Sequence, residues 1–237
     1  MKNMSQRITC LILALTLCAA LLAGCGKDDG NDTPSPAETK QTFDPAVYVK
    51  GGLDAVYLGE YSDDYLAMLG GETADGCAER YERGMQVSLE VFCEYFGIDL
   101  AQCSDATRTE LLDLMRRLYK CAEYVIGPTA QGSDGYTVSV TVSPIAAVAQ
   151  TAKNDYPAFA QDAANRIASG ELDKSSQSFK DWWAKSISDM VSAHLASPEY
   201  LDAQAVTVKL AKDNSGTYGF AGTSLSDVDA LIVSYPA

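Results

Sequence analysis

His194 is the single histidine in 237 residues, so a Ser-His-Asp or Cys-His device in this chain has to be built on it. The serine side of such a device is weak. The nearest approach to a GxSxG nucleophile elbow is Gly222-Thr223-Ser224-Leu225-Ser226, which lacks the closing glycine that lets the backbone turn sharply behind the serine. His194 stands four residues after Met190 on the apolar edge of a helical stripe, the place of a rim or core histidine rather than of a base. Walker, GxGxxG and HExxH patterns are absent. Glycoside hydrolysis needs only two well-placed carboxylates, and 32 Asp and Glu residues leave that chemistry open without locating it. No catalytic residue, no cofactor and no metal site is expected on these residues.

Cysteine spacing is more informative. Cys77, Cys93, Cys103 and Cys121 fall on two amphipathic stretches that are expected to fold back on each other. In an antiparallel hairpin they nest, with Cys93 opposite Cys103 and Cys77 opposite Cys121. The separations along the two helices are 16 and 18 residues, a mismatch of only about 3 Å at 1.5 Å per residue. An oxidising export route would then give the disulfides Cys93–Cys103 and Cys77–Cys121, the alternative being four small buried thiols. Zinc is a weaker reading, because no CxxC is present and His194 lies elsewhere.

A fifth cysteine has a different setting. Lys2 and Arg7 precede Ile8 to Ala23, a nearly uncharged run too short to span a bilayer comfortably, and the run breaks at Cys25 into GKDDG. Residues 1–24 read as a secretion signal. Leu22-Ala23-Gly24-Cys25 resembles the lipobox of bacterial lipoproteins, in which the cysteine becomes the new N-terminus and its thiol carries diacylglycerol. The resemblance implies lipidation of Cys25 with palmitate-type chains and a protein held at the extracytoplasmic side of the cell membrane. Residues 25–42 follow as anchor and tether: GKDDGNDTPSPAETKQT holds no apolar side chain larger than alanine and cannot bury enough surface to order itself. Asp28, Asp29, Asn31 and Asp32 lack the alternation and closing glutamate of a calcium loop and read as solvated spacer.

Residues 43–237 are expected to form one α+β domain. Loss of residues 1–24 removes two cations and no acid, so 18 basic and 32 acidic residues become 16 and 32. That balance argues against nucleic acid as a partner. Asp44-Pro45 opens a first helix, Ser62 to Leu69 a short one, and Cys77, Tyr81, Met85, Leu89, Phe92 and Phe96 mark a long one ending near Gly97. Thr107 with Glu110 has capping-box spacing before the stripe Leu111, Leu114, Leu118, Cys121 and Val125. YTVSVTV, Tyr136 to Val142, alternates as a strand, with AEYVIGPT before it as a partner. Helices over 156–169 and 175–196, strands at 205–210 and 217–220, and a closing helix over 224–234 complete the order. These elements imply helices, including a long antiparallel helical hairpin, on one face of a small antiparallel sheet.

FDPAVYVKGGLDAVYLGEY, CEYFGIDL, LYKCAEYVIG and YTVSVTVSPI together resemble small lipoproteins of Gram-positive gut bacteria, a family of unknown function. The resemblance implies a surface lipoprotein and brings no activity. The expected role is a non-catalytic binding or interaction module that meets a cell-envelope protein, a wall component or a small ligand. A wall- or glycan-active hydrolase using a carboxylate pair is the alternative. On the helix carrying Trp182 and Trp183 the two rings point about 100° apart. Trp183 shares the apolar row of Phe179, Ile187 and Met190 and is expected in the core. Trp182 is expected at a partly exposed edge and is the binding candidate.

Overall fold

The computed structural model describes residues 43–236; the signal segment, the Cys25 lipobox, the tether with its acidic cluster and the last residue, Ala237, lie outside the described residues. Asp44 caps the first helix, α1 (Pro45–Leu53), by accepting from the Ala46 and Val47 N–H groups, with Pro45 in the first turn. A π-helical turn, Asp54–Leu58, continues it and ends at Gly59 in the left-handed region. Two glycines set how close α1 lies to its neighbours. A Cβ on Gly51 would sit 2.5 Å from Cβ of Tyr65, and one on Gly52 would sit 2.6 Å from the Phe220 ring.

After the short α2 (Asp63–Met68), Thr73 caps α3 (Ala74–Phe96), which Gly97 terminates. A 3₁₀ turn, Leu100–Gln102, leads to α4 (Asp105–Tyr119). The expected capping box is displaced by three residues: Ser104, not Thr107, is the cap, and its Oγ accepts from the Thr107 N–H. The α3–α4 hairpin is antiparallel, and Arg116 on α4 meets Glu82 on α3 at 2.6 Å. Its seam is filled by Leu89, Phe92, Leu111, Leu114 and Leu118, all at most 2% exposed.

The helix stops at Tyr119, short of the expected stripe residue Val125. That residue lies instead on β1 (Glu123–Gln131), where it is 63% exposed. A β-branched pair, Val125-Ile126, suits the strand, and Val125 faces outward opposite Thr141. β1 pairs with β2 (Gly135–Ser143), and the register shifts at Gly127-Pro128, where proline has no N–H to give the ladder. Val138, Val140 and Val142 of β2 point into the core, while Thr137, Ser139 and Thr141 alternate to the other face.

From β2 the chain runs through α5 (Ala147–Gln150), a second π turn (Thr151–Asp155), α6 (Tyr156–Ala168) and α7 (Gln177–Leu195). It then returns as β3 (Gln204–Lys212) beside β2, turns into β4 (Tyr218–Phe220) and closes with α8 (Ser224–Ile232). The sheet order is β1-β2-β3-β4, antiparallel throughout, and the fold is α+β as expected. α1 and α8 lie against the sheet; α3 packs on α4 and on the first π turn, and α4 on α7. Phe43, the first described residue, stacks on Tyr218 with ring centroids 4.1 Å apart and tilts against Tyr48 and Tyr136. The chain therefore enters the domain where β2 and β4 begin.

The expected disulfides are not formed, and all four cysteines in the domain are free thiols. For the outer pair the reason is angular. Sixteen residues of α3 carry Cys93 about 160° around the helix from Cys77 at 100° per residue, so the two cannot both face α4. Cys77 Sγ accepts from Arg80 at 3.2 Å, while Cys121, beyond the end of α4, donates to the Arg117 carbonyl at 3.4 Å. The inner pair does come together. Burial pushes the Cys93 thiol up to about 12, with Cys103 beside it adding to the shift. Both remain protonated and are packing groups, not nucleophiles.

Candidate binding cleft

Alanines on one wall and aromatic rings on the other leave a cavity of about 270 Å³ between α6 and α7. The α6 wall is a helical stripe, Tyr156, Ala160, Ala163 and Ile167, at steps of three or four. Its phase is set by the π turn before it. Pro157 cannot donate to an earlier carbonyl, and the widened turn Thr151–Asp155 rotates everything that follows relative to a continuous α-helix. His194 near the end of α7 closes this corner, its Nε2 lying 2.8 Å from Oδ2 of Asp155. The histidine is thus partly buried beside the start of α6 and outside the cleft lining, with a carboxylate partner that the stripe alone does not show.

The α7 wall is pinned to the α3–α4 link. Asp181 accepts from the Ser104 N–H at 2.8 Å, which holds its carboxyl below the usual carboxylate range, and Gln177 donates to the Gln102 carbonyl at 2.8 Å. The Trp183 indole N–H donates to the Phe96 carbonyl at 3.3 Å, which fixes the ring in the cleft wall. Phe179 stacks on Trp183 at 6.0 Å, and Tyr156 meets it edge-on at the same distance. Trp183 is therefore only partly buried and faces the cavity. Trp182 is partly exposed but does not line the cleft. Its ring is covered by the Arg166 guanidinium at 5.3 Å and by Phe159 and Phe179. Trp182, the binding candidate read from the sequence, thus lies outside the cleft lining, and Trp183, expected in the core, stands within it.

The polar groups at the cleft are few. Lys174 and Lys180 line it, and neither is ion-paired with a described residue. Asp99 is the acid among the lining residues, and its Oδ2 accepts from the Gln102 side chain at 2.5 Å. Burial raises the Tyr156 phenol, so it stays a donor. The carboxyl with an enzyme-like shift lies elsewhere. Burial lifts Asp229 on α8 to about 6, partly offset by the Tyr57 hydroxyl beside it, and Asp229 is not a lining residue of the cleft. Ser224 is structural: its buried Oγ donates to the Ala221 carbonyl at 2.7 Å and accepts from the Lys209 N–H. Among the described residues no group of three or more His, Cys, Asp and Glu side chains is arranged to hold a metal ion, and no helix is long and apolar enough to cross a membrane.

A protein of solved structure shares this fold. A crystal structure of ycdA from Bacillus subtilis, described as a lipoprotein, superposes with a TM-score of 0.57 at 11% identity, over 80% of this chain and 56% of that one. The present chain thus spans little more than half of its neighbour, and at that identity the likeness extends to the fold alone. No protein-family model and no curated protein matches the sequence. The gut-bacterial grouping accordingly rests on the quoted motifs alone, and the neighbour adds only the fold.

Proposed function

We propose that this chain is a membrane-tethered lipoprotein of the extracytoplasmic face, and that its domain is a binding module whose site is the α6–α7 cleft. The observation that carries the binding reading is the cavity of about 270 Å³ walled by Phe179, Trp183 and an alanine stripe. A dry cavity of roughly 150 Å³ accepts benzene, so this one has room for one ring with a short arm. A carboxylate-pair hydrolase finds less support. Asp99 has no second acid with it among the lining residues, and the raised carboxyl of Asp229 is packed among Tyr57, Tyr119 and Tyr235.

The tethering half rests on the lipobox and on the lipoprotein among its fold neighbours. Cys25→Ala is expected to move the protein from the membrane fraction to the medium, or to leave an unprocessed precursor, with loss of metabolic lipid labelling. Undiminished lipid labelling of the variant would overturn it.

A further inference from the structure

Building on the binding reading, we infer that the cleft selects a monocyclic aromatic acid, a ring with a carboxylate on an arm of two or three carbons. The shape gives the first half. A space between the alanines of α6 and the rings of Phe179 and Trp183 suits a ring, because aromatic groups pack well on one another and the alanine side leaves room for a planar group to approach. The volume, about 270 Å³, leaves space beyond one ring for a short chain and excludes two fused rings with a long tail.

The charge gives the second half. The domain is strongly acidic, with 32 acidic against 18 basic residues over the whole chain, yet two lysines meet at this cleft without partners among the described residues. The lining carries two lysines against one acid, Asp99, whose carboxylate also accepts from Gln102, so its net charge is positive. Tyr156 supplies a neutral phenol to donate a hydrogen bond to an oxygen anion. A carboxylate held by Lys174 or Lys180 at the rim, with the ring inward, satisfies both sets of groups. An amine in the same pose would face two cations.

Trp182→Phe in the full chain leaves Trp183 as the sole tryptophan, so one indole N–H resonance in a proton–nitrogen NMR spectrum reports on the cleft. It is to be titrated with 3-phenylpropionate, phenethylamine and toluene. The expected result is a saturable shift with 3-phenylpropionate, at least tenfold weaker binding of the other two probes, and loss of that preference in Lys174→Met/Lys180→Met. Equal binding of toluene and the acid, or preference for the amine, would overturn the anion selectivity while leaving the cleft as a binding site. No shift with any probe in a folded protein would remove both readings. Unchanged preference in the double-lysine variant would overturn the assignment to these two residues.

Discussion

Two helix pairs in this domain face the same problem, how to fill the space between amphipathic helices, and solve it in opposite ways. Between α3 and α4, large side chains from both helices interlock, and Phe92, Leu114 and Leu118 are wholly buried. Between α6 and α7, Phe179 and Trp183 of α7 face Ala160, Ala163 and Ala164 in the middle of α6, and the large α6 residues Tyr156 and Ile167 stand only at the ends of that stripe. The seam stays open between them. Both stripes have helical periodicity. What distinguishes them is the size complementarity of the facing residues, so the place where a domain keeps room for a ligand is visible in the pairing of two stripes and not in either alone.

The comparison is broken most directly in the closed seam. Leu114→Ala removes a side chain with no exposed surface from the meeting of α3 and α4, and a loss of about 3–4 kcal/mol is expected in denaturant unfolding. A loss below about 1 kcal/mol would mean the seam is not close-packed.

The second test reads how dry the packing around Asp229 of α8 is, where Tyr57, Tyr119 and Tyr235 surround it. Asp229 titrates near 6 in the folded protein against 3.8 for the free group, with burial as the main cause. Because the folded pKa is the higher, this group's contribution to stability is fully present below pH 3.8 and is lost as pH rises through 6. The shift is worth at most about 3 kcal/mol. Asp229→Asn keeps the neutral shape, so the melting temperature of the variant relative to the native protein should rise between pH 4 and pH 8. A pH-independent difference would place water beside this carboxyl.

The smallest expected effect belongs to the open seam. Ala160→Leu extends a side chain into the cleft, and its stability change should stay within about 1 kcal/mol, whereas overpacking a filled core costs about 1–3 kcal/mol. The same variant should abolish the Trp183 response to 3-phenylpropionate. Retained response would show that the probe sits elsewhere.

Much of the scaffold was legible because its signals are local. Asp44-Pro45, the alternation of Tyr136 to Val142 and the row from Met85 to Phe96 each specify an element within a dozen residues, and each element formed. The cleft was less legible because it depends on what faces what. Trp183 looks like a core residue from its row, and only the alanines of α6, rotated by a π turn, turn it into a wall. Position counting along α3 and α4 matched the heights of Cys77 and Cys121 but ignored their angles, which is why the outer bridge failed. Val125 fell at the next step of a helical stripe after the helix had already ended at Tyr119.

The ring stack of Phe43 on Tyr218 also fixes where a leading segment joins the domain. Phe43 meets Tyr48 of α1 and Tyr136 and Tyr218, at the starts of β2 and β4. Arg80 and Asp213 lie near Tyr48 at this end, and from Arg80 the α3 helix runs about 24 Å at 1.5 Å per residue before it reaches Phe96 at the cleft. Most of the length of α3 therefore separates the point of entry from the cleft, and the ring that holds the leading end of the domain takes no part in lining the site.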